Sequence, residues 1–149
     1  MPVISTATQA DLDDVLPLFA GYQSFYTGEA QNDEKNRAFL SRFVAQEAGR
    51  LLVARGDASG EMLGFANLYW TFSSTIAEEH VLLNDLFVSE EARGQNVGFA
   101  LIEAARDVAR ERGSKTLSWE TALDNRAAQR LYERTGADRY VWFEYDLAV

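Results

Sequence analysis

Residues 82–98, LLNDLFVSEEARGQNVG, constrain the fold of this chain more than any other stretch. Leu82, Leu83, Leu86, Phe87 and Val88 make a short apolar run that predicts a buried strand. Ser89-Glu90-Glu91 is a polar connector, and Arg93-Gly94-Gln95-Asn96-Val97-Gly98 opens a long helix that runs to Gly113. A strand that feeds a glycine-containing turn at a helix N-terminus leaves several backbone N–H groups pointing outward. The helix dipole adds partial positive charge there, so the place suits an anion. Arg93 brings a full charge and a planar fork of donors matched to phosphate. An ordinary strand-to-helix turn with a surface arginine has the same pattern, so the turn alone leaves both readings open.

The rest of the chain supplies the frame. Residues 3–6 predict a first strand. Thr8 followed by Asp11 fits a helix N-cap, and Leu12, Val15, Leu16 and Phe19 line that helix. Pro17 inside it predicts a kink or break near residues 13–16. Residues 21–30 read as irregular and aromatic. A second helix starts near Asn32-Asp33-Glu34, with Phe39, Leu40, Phe43 and Val44 on its apolar face. Residues 51–55 and 62–72 read as strands joined by a hairpin turn through residues 56–60. In the long helix, Leu101, Ile102, Ala105, Val108 and Ala109 form one stripe, and Gly113 ends it. Residues 115–121 predict another strand, with Leu117 and Trp119 on one face, and RAAQRLYERTGA a short helix. An alternating strand closes the chain: Tyr140, Trp142 and Glu144 on one face, Val141, Phe143, Tyr145 and Leu147 on the other. The order βααβββαβαβ predicts one α/β domain spanning residues 1–149. Its sheet is mixed and mostly antiparallel, flanked by helices on both faces.

Composition narrows the chemistry. The 149 residues contain no cysteine, which removes disulfides, thiolate metal sites and a cysteine nucleophile. The one histidine, His80, lies in a polar stretch and reads as a solvated loop residue, so neither a zinc site nor a Ser-His-Asp triad is indicated. A net charge of −9 argues against nucleic acid and suits a cationic partner such as an amine; it also suits plain solubility. No basic apolar leader and no long apolar span are present, which predicts a soluble cytoplasmic protein that does not engage membrane.

Three motifs in sequence together resemble the GCN5-related N-acetyltransferase (GNAT) superfamily over residues 81–137. The first is the strand and turn, whose family form is Arg/Gln-x-x-Gly-x-Gly/Ala. The second is the strand ending at Glu120-Thr121, followed by Asn125 and an alanine-rich helix start. The third is Leu131-Tyr132-Glu133-Arg134-Thr135-Gly136-Ala137. The chain departs from the pattern at Asn96, which stands where the family turn has its first glycine. Asn is the non-glycine residue that best tolerates positive φ.

The resemblance implies acetyl transfer from acetyl-CoA to a primary amine by direct attack, with no metal. A small amine or polyamine is favoured, and the acidic chain is at least compatible with it. A protein or peptide N-acetyltransferase and a non-catalytic acyl-CoA-binding module are the alternatives. The resemblance places the cofactor pyrophosphate on Arg93, Gly94, Gln95, Asn96, Val97, Gly98, Phe99 and Ala100, with Gly94 and Gly98 allowing close approach. It places the pantetheine arm along the backbone of Leu86, Phe87 and Val88, and on Asn125, which reads equally well as a helix N-cap. Tyr132 matches the family's general acid. For the base, Asn84 stands where diamine-acetylating relatives carry an acid and cannot act. Asp85, facing the opposite way on a regular strand, Glu120, and Glu78 or Glu79 are the candidate carboxylates. Tyr22, Tyr26 and Trp70 are the candidate substrate walls. A homodimer using the final aromatic strand is a further implication.

Overall fold

The computed structural model describes all 149 residues. Five strands lie in the order β1-β2-β3-β4-β5: β1 (Pro2–Thr6), β2 (Gly49–Gly56), β3 (Met62–Ser73), β4 (Glu78–Val88) and β5 (Leu117–Ser118). The first four pair antiparallel, and β5 joins β4 in parallel. Helices α1 (Leu12–Thr27) and α2 (Asp33–Val44) cover one face, and α3 (Val97–Glu111) covers the other. A shorter helix, α4 (Arg126–Glu133), sends Leu131 and Tyr132 to the α3 side. This is the expected mixed α/β domain.

Alternation along the strands builds two cores. Leu51, Val53 and Phe65 point to the α1/α2 layer with Leu12, Phe19 and Leu40. Leu52, Ala54, Ala66 and Leu68 point to the α3 layer with Val97, Leu101 and Ala105. Caps set the helix ends. Asp11 Oδ2 accepts from the Thr8 backbone N–H at 2.7 Å, and Asn32 Oδ1 accepts from the Lys35 N–H at 2.8 Å. Gly113, at φ 73°, closes α3 in a Schellman motif: its N–H donates to Arg110 O, and Ser114 N–H donates to Ala109 O. No helix is long and apolar enough to cross a membrane.

Five expectations change. Helix α1 runs unbroken through Pro17, its sixth residue, which forgoes one N–H donor, and a 3-10 turn at Gln9–Asp11 leads into it. That same helix continues to Thr27, absorbing most of the stretch expected to be irregular. His80 is a strand residue of β4; its ring contacts Ser118 Oγ at 2.6 Å and Thr116 Oγ1 at 3.2 Å. The strand expected over residues 115–121 pairs only at Leu117 and Ser118, because β4 and β5 diverge beyond that point. The final alternating segment pairs with nothing in the chain, and Trp142 and Phe143 stand 87% and 88% exposed.

Gly49 shows how tightly β2 and β3 lie. A Cβ there would sit 1.7 Å from Leu68 O, so backbone would have to move. Gly49→Ala is expected to cost about 3 kcal/mol, read as a lower urea midpoint at unchanged m-value.

Candidate functional site

Beyond Leu82 and Ser118, β4 and β5 no longer pair, which leaves an open edge, the cleft, along β4 towards Val88. Ser89 N–H donates to Leu63 O at 2.9 Å, and Val88 stands opposite Gly64. In an antiparallel ladder alternate residues turn their polar groups the same way. Phe87 and Asp85 therefore direct their backbone at β3, while Leu86 and Val88 direct theirs at the open edge. Of the three residues expected to hold an extended ligand arm, Leu86 and Val88 have backbone to offer. Phe87 instead packs its ring against Phe65 and Tyr22 on the α1 side.

At the end of the cleft lies the turn into α3. Asn96 adopts φ 64°, ψ 9°, the left-handed conformation its identity allows. Gly94, at φ 78°, needs glycine for the same reason. Gly98 has a further constraint: a Cβ would lie 2.9 Å from Leu131 Cδ2, so its smallness also seats α4 against α3. Gln95 N–H is already used by Ala92 O, and the first helical bond is Ala100 N–H to Asn96 O. The N–H groups of Gly94, Asn96, Val97, Gly98 and Phe99 have no protein acceptor. That is the donor set an anion at a helix N-terminus uses. Two arginines stand beside it. Arg93 lies 3.6 Å from Glu90 and over the Phe87 ring, and Arg134 donates to Asn96 Oδ1 at 2.9 Å and lies over Phe99. Arg134 lies outside the turn in sequence, and only the packing of α4 reveals its place. Asn96→Gly is expected to keep acetyl-CoA affinity. Asn96→Val, which resists positive φ, is expected to weaken it about tenfold by calorimetry.

The middle of the cleft carries the titratable groups. Asn67 pairs with Asp85 and Leu68 with Leu83, so Asn84 is an unopposed bulge. The bulge resets the alternation. Leu83 and Leu86 both reach the α3 core, while Asp85 goes to the α1/α2 face, where it is 3% exposed. Asn84 Nδ2 donates to Asp85 Oδ1 at 2.9 Å and Asn67 Nδ2 to Oδ2 at 3.2 Å. The Tyr22 hydroxyl lies near the same carboxylate and favours its charged form. Burial raises the Asp85 pKa above the usual carboxylate value, with these three donors pulling it back. Burial, reinforced by the Asp85 charge, pushes Tyr22 up and Tyr69 to about 12. Asn67 Oδ1 is buried without a partner.

A second group stands on α4. Burial lifts Tyr132 to about 12, with Tyr26 contributing, and its ring lies 5.5 Å from Trp119. Asn125 Oδ1 caps α4 by accepting from Ala128 N–H at 3.2 Å, and its side chain lies near the Tyr26 hydroxyl. Tyr26 in turn packs 4.9 Å from Tyr22, which links the Asp85 group to the Tyr132 group. Two expected members stand elsewhere. Trp70 faces the α3 side, bracketed by Arg112 at 3.9 Å and Arg50 at 5.9 Å. Glu120 is exposed just past β5 and makes no hydrogen bond or ion pair. Asn67 and Tyr69, unremarkable in sequence, join the site because β3 sets them against Asp85 and near Tyr22.

Residues 14–137 match the model of the acetyltransferase (GNAT) family. The chain is 36% identical over 140 residues to the uncharacterized N-acetyltransferase YhfO of Bacillus subtilis, covering 94% of this chain and 92% of that one. It is 31% identical over 145 residues to the thialysine N-epsilon-acetyltransferase of Bos taurus, covering 91% and 83%. A crystal structure of a probable acetyltransferase superposes with a TM-score of 0.87 at 34% identity, over 99% of this chain and 97% of that one.

Proposed function

Because the chain belongs to the GNAT acetyltransferase family and is an acetyl-CoA-dependent acyltransferase, we propose that it acetylates the primary amine of a small molecule, with Asp85 as base and Tyr132 as acid. The observation that carries this reading is the pair of linked groups across the cleft: Asp85 with Tyr22 on one side, Tyr132 with Tyr26 and Asn125 on the other. The relative that acts on thialysine, a small amine, supports the same class of acceptor.

The cofactor supplies an acetyl group activated as a thioester. The residues around it have separate tasks. The free N–H groups from Gly94 to Phe99, with Arg93 and Arg134 beside them, fit its pyrophosphate. The open backbone of Leu86 and Val88 fits its amide-bearing arm, as an added strand would. An N–H on that edge also stabilises negative charge developing on the acyl oxygen, an effect worth roughly 3 kcal/mol. An ammonium has no lone pair, so the acceptor must first lose a proton. Tyr22 stands beside Asp85 and faces Tyr26, which suits its hydroxyl to take the amine proton as it passes its own to Asp85. The raised Asp85 pKa makes that carboxylate a better base than a solvated one. Tyr132, protonated at any working pH, holds a proton at Oη for the departing sulfur. No enzyme nucleophile is needed, since attack within the bound pair gains from proximity.

The test is thiol release from acetyl-CoA across thialysine, diamines, amino acids and peptide N-termini. Turnover on the small amines above that on peptides supports the reading. Preference for peptides transfers it to a peptide N-acetyltransferase, and binding without turnover on any acceptor reduces the chain to an acyl-CoA-binding module.

A further inference from the structure

We propose that Asn67 is the positioning residue that holds the Asp85 carboxylate charged and oriented until the acceptor amine arrives. The inference rests on the reading of Asp85 as base and adds the residue that prepares it. Asn67 lies on β3 directly opposite Asp85 in the ladder, and its Nδ2 donates to Asp85 Oδ2 at 3.2 Å. It is 0% exposed, on the strand face that also carries Phe65 and Tyr69. Its partner on β2 is the fully buried Leu51. An aliphatic side chain would continue that layer with no polar atom to satisfy. Asn67 instead buries Oδ1 without a partner; with Thr121 Oγ1 it is one of two buried side-chain atoms left so. A buried acceptor without a donor costs stability. The one hydrogen bond this side chain makes is to Asp85, so that bond is the reason for an amide here.

The groups around the carboxylate are not equivalent. Asn84 donates to Oδ1 at the shorter distance of 2.9 Å, but Asn84 is exposed and water can take its place. Tyr22 lies near the carboxylate and carries the relayed proton, so it cannot serve as a fixed donor as well. Asn67 has no proton to lose and, sealed from solvent, no water to replace it. The titratable groups facing Asp85 are Tyr22 and Tyr26 from α1 and Tyr69 from β3. Helix α2 brings Arg42 toward Tyr69, and β2 brings the apolar Leu51. The carboxylate thus bonds two amides and no cation. An arginine in their place would hold the charge far more firmly and leave a poor base. A neutral amide orients the carboxylate and leaves it able to take a proton.

The Asp85 carboxyl-carbon and Asn67 side-chain amide resonances, followed against pH in the full chain, test this without any turnover. In the wild type the two are expected to titrate with one midpoint. Asn67→Leu keeps nearly the same volume and has nothing to donate. The Asp85 midpoint should then rise by about one pH unit, an about tenfold weaker hold on the charge. The limb of kcat/KM for thiol release should move up by the same amount. Urea midpoints supply the structural control. At acid pH, with Asp85 protonated, the variant should be at least as stable as the wild type, because it buries no unpartnered oxygen. That advantage should shrink as pH rises through the Asp85 midpoint. An Asp85 midpoint that Asn67→Leu leaves unmoved overturns the proposal, as does a loss of stability equal at every pH. A wild-type Asn67 amide that ignores the Asp85 titration overturns it with no variant needed. A resonance midpoint that rises while the kinetic limb stays would keep Asn67 as the holder of the carboxylate and remove Asp85 from the chemistry instead.

Discussion

Tyr132→Phe should lower kcat about 100-fold with little change in acetyl-CoA affinity. The substitution removes one oxygen and keeps the ring, so the 5.5 Å packing against Trp119 survives and α4 stays in place. The lost atom is the only one that matters for the proton given to the departing sulfur. Burial holds this hydroxyl at about 12, well above working pH, so the acid is fully loaded in the wild type and its titration never limits the rate. The variant should therefore show a lower plateau with the same pH profile. Steady-state kinetics on the best acceptor decide it, and an undiminished kcat would remove Tyr132 from the chemistry.

Asp85→Asn should separate activity from stability. The rate is expected to fall at least about 100-fold, because an amide cannot take the amine proton. Stability is expected to hold or rise. Burial raises the native pKa of Asp85 above its unfolded value. Between the two values the native state keeps a proton that the unfolded state has lost, so stability falls as pH rises through that window. Asparagine carries no charge and removes this penalty. The neighbours can adapt, since a rotated Asn67 amide would turn its unpartnered Oδ1 toward the new NH₂. Urea midpoints from acid to neutral pH should show the wild-type slope lost in the variant. In the wild type kcat/KM should rise with pH through the same raised pKa, and the variant should lack that rise. A variant with full activity would transfer the base to another group.

The frame was legible because its signals are local. The stripe Leu101, Ile102, Ala105, Val108, the cap at Thr8, the helix start near Asn32, and the glycine closing α3 each act within a few residues, and each took its expected role. The turn was legible for the same reason, down to the left-handed Asn96. What escaped depends on partners distant in sequence. Whether Asp85 shares a face with Leu83 depends on pairing with β3, and one unopposed residue at Asn84 reverses the answer. Trp70 reads as a pocket aromatic in a list of residues, yet the alternation of β3 turns it to the other face, between two arginines. That Gly98 also makes room for Leu131 shows only once α4 is packed on α3. The last strand has the alternation of a strand without, in one chain, anything to pair with.

The Asn84 bulge bears on how such a chain can change over generations. Deleting that single residue would make Asp85 follow Leu83 directly, and strict alternation would then keep Leu83 and Leu86 under α3 and Asp85 on the opposite face. What would go is the Asn84 amide that donates to Asp85 Oδ1 at 2.9 Å. The extra residue is thus a donor added beside the acid without disturbing either layer of the sheet. Related chains should therefore occur both with and without it, those lacking it having one fewer amide to hold the carboxylate.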